Sequence, residues 1–239
     1  MPTLGITCIE TRAIDKAVAA IERTLACIEA KKIYWISTNL FPKQPNSIEV
    51  VNLLINDFTD FSRDINQLLL QVVPKIVTTD FNLIVQTDGF AVNRDAWSDE
   101  FWEYDYIGAP WPWMWGGGPP WKGPIVGNGG FSLRSRKLYH ALNETCIGWR
   151  FDHLARDPRA SQREYYGILP SGDRFIPEDL LICLWHRDVL ETRYGIRFCE
   201  PELASQFSVE TIHPSMEKWL GKSFGFHGIC AAPYYGVTL

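Results

Sequence analysis

The sequence predicts an α/β protein in which a mixed, mainly parallel sheet is flanked by helices and residues 1–239 form a single domain. The chain has 239 residues, of which 46% are hydrophobic, and this is enough for one large core. Segments of strand-like and helix-like apolar spacing alternate through residues 1–95, which favours a parallel sheet. The apolar residues 81–85 end in the polar turn Gln86-Thr87-Asp88, as is typical of a strand buried in such a sheet.

Residues 1–95 predict a βαβαβ unit, the usual organisation of a nucleotide-binding half. Apolar residues recur at three- and four-residue steps in two segments, which predicts two helices. The predicted elements are, in order, a strand at residues 4–9, a helix at 14–28, strands at 33–36 and 48–55, a helix at 61–73 and a strand at 81–85. Neither a GxGxxG fingerprint nor a GxxxxGK[ST] P-loop is present in this half.

The chain changes character after Asp88. Six of the ten tryptophans lie between Trp97 and Trp121, in a stretch whose Gly and Pro content predicts turns and loops. Its aromatic content argues against a disordered linker, because disordered segments are poor in large apolar side chains. Beyond it, we predict a short helix at residues 135–142, a helix at 177–189 that begins with Pro177, a helical turn at 201–207 and a strand at 207–210.

Composition excludes several functional classes. A net charge of -5 and a pI near 5.6 argue against a nucleic-acid partner. No apolar run approaches the roughly 20 residues that a membrane-spanning helix needs, and the N-terminus lacks the layout of a secretory signal. The six cysteines are scattered without metal-binding spacing, so we expect them to be reduced and the protein to be cytoplasmic.

Three acidic residues and one histidine are candidates for chemistry. Asp88 follows its strand where α/β folds bind ligands, and an acid there can hold a divalent cation against a phosphate. Glu178 and Asp179 could supply a general base, and His227 could join Asp88 in binding Mn²⁺ or Mg²⁺. Each has a simpler interpretation: Asp88 begins a turn, the acid pair complements a helix dipole, and His227 is a turn residue beside Gly228.

Glycines and tryptophans suggest a second set of contacts. Three glycines surround Asn128 at residues 127–130, which implies close approach of the backbone to another group or positive φ angles. A ligand with hydroxyls or phosphates would suit the exposed N–H groups, and a tight bend between two sheet segments is the alternative. Trp111 and Trp113 suggest stacking faces for a sugar ring, with a satellite hydrophobic cluster as the alternative.

Four blocks of sequence resemble a known family in the same order. They are YDYIGAPW at residues 104–111, VGNGGFSLRSRKL at 126–138, PEDLLIC at 177–183 and SFGFHG at 223–228. Together they resemble a family of largely uncharacterised bacterial glycosyltransferase-like domains of the GT-A type. The segment Phe61-Ser62-Arg63 is distantly similar to the Phe-Asn-Arg segment of β-1,4-galactosyltransferases.

The resemblance implies a GT-A-like, Rossmann-like fold and transfer of a sugar from a nucleotide-diphosphate sugar to a glycan or other hydroxyl acceptor. It divides the domain into a nucleotide-binding half, residues 1–95, and an acceptor-binding and catalytic half, residues 96–239. An Asp-x-Asp motif is usual in such enzymes, and here Gln86 stands in place of its first acid. The second acid, Asp88, keeps the expected role of direct metal ligand.

The resemblance also implies roles for individual residues. Asp179 is the expected base of an inverting reaction, and Glu178 is the second candidate or holds the acceptor. The metal, Mn²⁺ or Mg²⁺, is assigned to Asp88 and His227. The donor is assigned to Thr7, Arg63, Asp88, Gly129 and Gly130, and the acceptor is assigned to Trp111, Trp113 and Asn128.

Two other classes remain open at the level of sequence. A carbohydrate-binding module that kept the fold and lost catalysis would account for the missing first acid and the tryptophans. A glycoside hydrolase is ranked last, because its two carboxylates must lie roughly 5 to 9.5 Å apart across the sugar and adjacent acids at one helix start need a distant partner.

Overall fold

The computed structural model describes residues 1–43, 47–111, 125–145, 167–168 and 174–239. The strands are β1 (Leu4–Ile9), β2 (Lys32–Ser37), β3 (Glu49–Leu54), β4 (Phe81–Ile84), β5 (Gly89–Ala91), β6 (Tyr106–Gly108), β7 (Pro110–Trp111), β8 (Ile125–Val126), β9 (Ser132–Ser135), β10 (Gly167–Ile168), β11 (Arg174–Phe175), β12 (Ser208–Val209) and β13 (Gly225–His227). The helices are α1 (Ile14–Cys27), α2 (Phe61–Gln71), α3 (Val73–Ile76), α4 (Arg136–Thr145), α5 (Glu178–Leu180), α6 (Arg187–Tyr194) and α7 (Pro201–Phe207).

The main sheet has six strands in the order β3-β2-β1-β4-β9-β6. Strands β1 to β4 are mutually parallel, and β9 runs antiparallel to both β4 and β6. The predicted fold class, a mixed and mainly parallel sheet flanked by helices in a single domain, is confirmed. The direction of the strand order reverses between β1 and β4. In open α/β sheets, ligands bind outside the carboxyl ends of the strands at such a point.

The apolar pattern of the chain explains which elements lie inside. Every residue of β1 is buried, as expected for a central parallel strand covered on both faces. Helix α1 buries Ala17, Ala20 and Ile21 and packs against β1 and β5, and α3 packs against α4. Among the described residues, no helix is both long enough and apolar enough to cross a membrane.

A smaller sheet, in the order β12-β13-β5, joins distant parts of the chain. Strand β13 is parallel to β12 and antiparallel to β5. The register pairs Val209 with Phe226, so Glu210 follows immediately beside His227. It also pairs His227 with Gly89, and this brings the preceding residue, Asp88, to the same end of the sheet. Polar groups from three segments therefore meet at one edge.

Two details differ from the predicted elements. The predicted helix at residues 177–189 is interrupted, because α5 continues as a π-helical segment, Leu181–Trp185, and a new helix begins at Arg187. The amide of His186 donates to the Leu181 carbonyl five residues back, at 2.9 Å, and this bond widens the turn. Part of the tryptophan-rich stretch belongs to the core: the Trp97 ring lies 4.8 Å from that of Trp102, between centroids.

Candidate active site

Two cavities open at the carboxyl ends of the parallel strands. The first cavity has a volume of about 520 Å³ and the second a volume of about 700 Å³. The first lies at the ends of β1 and β4, and its walls are Ile9, Glu10, Arg12, Ala13, Lys16, Phe61, Ile65, Gln86, Thr87, Asp88, Ile229 and Leu239. The second is lined by Trp111, Pro177, Asp179, Leu180, Glu210, Thr211, Ile212, Gly228, Ile229 and Cys230. Ile229 lines both, so the two cavities adjoin.

The first cavity contains charged residues that the sequence did not single out. Glu10 follows β1 as Asp88 follows β4, and its Oε1 accepts hydrogen bonds from the N–H groups of Thr11, Arg12 and Ala13 at 2.9, 2.8 and 3.2 Å. These bonds order the turn before α1. The side chains of Arg12 and Lys16 add two cations to the cavity wall. The polar run after β1 was a usable signal, because polar residues at a strand end are expected near a ligand.

His227 lies between the two cavities and is bonded on both ring nitrogens. Its Nδ1 lies 3.0 Å from Oε1 of Glu210, and its Nε2 lies 3.2 Å from Oε1 of Gln86 and 3.6 Å from Oδ1 of Asp88. Burial alone would lower the pKa of His227, but the hydrogen bond and charge of Glu210, with the charge of Asp88, raise it above the ordinary value. A protonated His227 can therefore bridge the two carboxylates, and a neutral one can offer Nε2 to a cation.

The atoms around His227 include one imidazole nitrogen and two side-chain oxygens, which are ligand types that Mg²⁺ and Mn²⁺ accept. Nδ1 of His227 lies 2.8 Å from Nδ2 of Asn128 as well as 3.0 Å from Oε1 of Glu210. In the tautomer whose Nδ1 hydrogen is directed to Glu210, Nε2 carries no hydrogen and is an acceptor beside two others, the Gln86 amide oxygen and the Asp88 carboxylate. A carboxylate behind a histidine is the usual support for a metal ligand. In the described part of the chain, no group of three or more His, Cys, Asp or Glu could hold a metal. A cation here would therefore also need oxygens from a bound diphosphate and water.

Asp179 is one of the two carboxylates, with Glu210, that line the second cavity. Its Oδ2 accepts the N–H of Gly129 at 3.0 Å, and its Oδ1 accepts the N–H of Leu180 at 2.8 Å. Burial, followed by the negative charges of Glu178 and Glu210, raises the pKa of Asp179 to about 7. A carboxylate with a pKa near neutrality is well matched to removing a proton from a ligand hydroxyl.

Glu178 occupies a different environment from its neighbour. Its side chain is 2% exposed and forms a two-pronged ion pair with the fully buried Arg134, at 2.6 and 3.1 Å. Glu178 lines neither cavity. The carboxylate of Glu178 is therefore occupied by Arg134 inside the protein, whereas that of Asp179 borders a cavity. The catalytic roles expected for both residues remain predictions.

Arg134 also fixes the glycine turn that the sequence singled out. Its Nη2 donates to the Gly129 carbonyl at 3.2 Å, and the Ser132 hydroxyl donates to the same oxygen at 3.0 Å. The guanidinium of Arg134 therefore binds Glu178, the neighbour of the candidate base Asp179. It also binds Gly129, whose N–H donates to Asp179. A buried arginine of this kind is recognisable only once its partner is known, and the sequence analysis did not identify it.

The glycines contact protein side chains closely. A Cβ added at Gly130 would lie 2.1 Å from Nε2 of His227, and one at Gly129 would lie 2.0 Å from Oε1 of Glu178. Asn128 has a φ of 50° and donates through Nδ2 to Glu210 at 2.7 Å. The absence of side chains at the two glycines therefore allows His227 and Glu178 to approach the turn. The direct donor contact expected for these glycines remains a prediction.

Replacing Gly130 with Ala is expected to displace His227 and, under the nucleotide and cation binding that we propose below, to abolish the effect of Mn²⁺ on nucleotide binding. The new methyl group would overlap the imidazole, which is held on its other side by Glu210. Binding can be followed by the shift in melting temperature that nucleotide and Mn²⁺ produce together. Gly236→Ala is the matched control, because Gly236 has a φ of 66° and no atom within 4 Å of an added Cβ. It should lower stability and keep the nucleotide shift; equal shifts in both variants would contradict the prediction.

Two residues that were predicted to bind the donor, Thr7 and Arg63, lie away from both cavities. Thr7 is fully buried and donates its hydroxyl to Asn82 at 3.0 Å, so it faces the core and lines neither cavity. The side chain of Arg63 bonds Asp64 and Thr59 at 2.9 and 3.0 Å and also lines neither. These contacts argue against the donor roles expected for both.

The expected acceptor-binding residues are only partly described by the structure. Trp111 is 6% exposed, belongs to the hydrophobic core and borders the second cavity. Its role in binding an acceptor remains a prediction. Asn128 is buried and bonds Glu210, so its side chain organises the site from within. Trp113 lies outside the described residues.

Fold and site together define an α/β protein with one cavity at the switch point of its main sheet and a second cavity that adjoins it. The chain belongs to the family described as "Protein of unknown function (DUF5672)", whose model matches residues 47–227. No curated protein matches the sequence.

Comparison with solved structures gives similarity to a bacterial enzyme. The chain is similar to the glycosyltransferase GlyE of Streptococcus pneumoniae TIGR4 in its apo form, with 12% identity and a TM-score of 0.45, over 87% of this chain and 46% of that one. A second GlyE structure gives 12% identity and a TM-score of 0.43, over 83% and 45%. The chain thus spans less than half the length of these neighbours.

Proposed function

We propose that the protein is a glycosyltransferase that moves a sugar from a nucleotide-diphosphate sugar to a hydroxyl acceptor, with inversion and with the help of a divalent cation. The observation that carries the proposal is the pairing of the two cavities. One contains cations and a group of metal-type ligands, and the other contains a carboxylate with a pKa of about 7. The resemblance of the four sequence blocks to GT-A-type domains supports the same conclusion.

The first cavity suits the donor. Arg12 and Lys16 offer positive charge to a diphosphate, and Phe61 offers an apolar surface on the same wall. Asp88 and His227 would hold Mn²⁺ or Mg²⁺, which stabilises the negative charge on a departing diphosphate. Glu210 orients His227 by binding Nδ1, so that Nε2 is directed towards Asp88.

The second cavity suits the acceptor. In its ionised form Asp179 accepts the proton of the acceptor hydroxyl while that oxygen attacks the sugar carbon, and the bond to the diphosphate breaks on the opposite face. The Gly129 N–H fixes one carboxylate oxygen of Asp179 at 3.0 Å. Direct attack of this kind inverts the configuration of the sugar carbon, because no covalent intermediate with the enzyme is formed.

Nucleotide binding tests the donor half of the proposal. Melting temperatures would be measured with UDP, GDP, CDP and TDP, each with and without Mn²⁺. We expect one nucleotide to stabilise the protein and Mn²⁺ to enlarge the shift, because a ligand that binds only the folded state stabilises it. Asp88→Ala should remove the enlargement by Mn²⁺, and Asp95→Ala, at an exposed position away from both cavities, should retain it. An unchanged Mn²⁺ effect in Asp88→Ala would reject this metal site.

A carbohydrate-binding module is the second candidate. Gln86 in place of a first acid leaves Asp88 and His227 as the two charged or imidazole ligands, and Trp111 lines a cavity that a sugar could enter. Binding of oligosaccharides together with no response to any nucleotide would favour this class over the transferase.

A further inference from the structure

The residues that line the second cavity indicate what kind of ligand it would bind. Most of its side chains are apolar, and they include Trp111, Leu180, Ile212 and Ile229. A volume of about 700 Å³ falls within the range of cavities that enclose a small-molecule ligand. The hydroxyls of a bare sugar would find few hydrogen-bond partners on such walls, whereas an apolar group attached to the sugar would find a large contact area.

The mouth of the second cavity exposes large aliphatic side chains. Ile229 is 73% exposed and Ile212 is 43% exposed. A single exposed isoleucine is unremarkable, but both belong to one cavity, beside the partly exposed base candidate Asp179. Clustered apolar side chains at the rim of a pocket are typical of a ligand-binding surface.

The charges of the two cavities differ. The first contains Arg12 and Lys16, and among the described residues that line the second there is no Arg, Lys or His. The charged side chains described there are the carboxylates of Asp179 and Glu210. Glu210 uses Oε1 for Asn128 and His227, so its Oε2 is available to accept a hydroxyl hydrogen. An anionic ligand would be repelled mainly by Asp179, because the charge of Glu210 is partly balanced by His227, which lies 3.0 Å from it. A neutral hydroxyl could donate a hydrogen bond to either carboxylate.

We propose that the acceptor is an uncharged hydroxyl compound with an apolar body, such as an aryl or alkyl glycoside, and that anionic acceptors are excluded by charge. This inference rests on the proposed function, since it assigns the second cavity to the acceptor. The apolar body contacts Trp111, Ile212 and Ile229, and the hydroxyl to be glycosylated points to Asp179.

Three matched probes test the inference by calorimetry: phenyl β-D-glucopyranoside, methyl β-D-glucopyranoside and phenyl β-D-glucuronide. The first two differ in the apolar group, and the first and third differ in charge. We expect the phenyl glucoside to bind at least about tenfold more tightly than either of the others. Equal affinity for the glucoside and the glucuronide would overturn the exclusion of anions. Equal affinity for the phenyl and methyl compounds, or no binding of the phenyl glucoside, would overturn the inference that the acceptor has an apolar body.

The variant Ile212→Asn tests whether the apolar group of the ligand binds in the second cavity. It should weaken binding of the phenyl glucoside several-fold and leave the methyl glucoside unaffected. Val189→Asn is the matched control, because Val189 is also 43% exposed and lines neither cavity. An equal loss of affinity for the phenyl glucoside in the two variants would show that the compound does not bind in the second cavity.

Nucleotide-induced shifts in melting temperature, measured on the same samples, separate the two proposals. Glucoside binding without any nucleotide response would reject the transferase. A normal nucleotide response without binding of the phenyl glucoside would reject only the acceptor class.

Discussion

Asp179→Asn is expected to lower kcat by about 10²- to 10⁴-fold, the usual contribution of a general base, and to leave nucleotide binding intact. The amide keeps the shape of the carboxylate but accepts no proton. Turnover and the nucleotide-induced thermal shift would be measured on the same preparation. Asp188→Asn, an exposed change on α6 away from both cavities, is the control for the loss of one acidic residue. Near-wild-type turnover of Asp179→Asn would reject the assignment of the base.

Under the proposed function, the same residue predicts how the turnover of the wild-type protein depends on pH. Because burial and the charges of Glu178 and Glu210 raise the pKa of Asp179 to about 7, kcat should increase as pH rises through about 7 and the carboxylate becomes ionised. A rate that is constant between pH 5 and pH 8, the interval that spans this pKa, would be inconsistent with Asp179 as the base.

The contribution of Asp179 to the free energy of unfolding should decrease as pH rises, whereas kcat increases. A carboxyl whose pKa is raised by folding binds its proton more tightly in the folded state, so its contribution is fully present at low pH. That contribution is lost as pH rises from the ordinary carboxyl range to about 7. Asp179→Asn removes the titration, and its stability relative to the wild type should therefore increase across that interval.

Arg134→Met is expected to destabilise the protein by about 3–5 kcal/mol, the typical effect of removing one partner of a buried ion pair. The change leaves the carboxylate of Glu178 buried without its cation, and it also removes a hydrogen bond to the Gly129 carbonyl. Urea unfolding measures the difference. Arg136→Met, two residues further along at an exposed position, is the matched control and should change stability little.

A double variant separates the ion pair from packing. If the loss in Arg134→Met arises from an unpaired charge, then Arg134→Met combined with Glu178→Met should recover most of the stability, because no buried charge remains. Additive losses from the two changes would mean that the residues do not act as a pair.

Much of the first half could be predicted from sequence because its signals are local. Strands β1 to β4 and helices α1 and α2 follow from apolar spacing within single segments, and the structure places them within two residues of the predicted bounds. Asp88 could be singled out in the same way, because it directly follows a buried strand.

The site residues that the sequence analysis did not identify, Glu210 and Arg134, have partners that lie far away in the sequence. Glu210 becomes significant only because β12 pairs with β13 and brings it beside His227. Arg134 resembles any basic residue of a strand until Glu178, 44 positions away, is packed against it. Thr7, by contrast, was assigned to the donor without a local signal of its own, and its hydroxyl is directed towards Asn82 inside the core.

The pairing of β5 with β13 and of β4 with β9 joins residues 1–95 to later parts of the chain. A fragment that ended at residue 95 would leave both β4 and β5 with an unpaired edge, and bare strand edges promote self-association. Within the full chain, the contacts around His227 join residues up to 141 positions apart, and closing such long loops is entropically unfavourable until much of the chain is ordered. We therefore expect the two cavities to form late in folding. Binding of a ligand there would report that the segments that carry β1, β4 and β13 have reached their native arrangement.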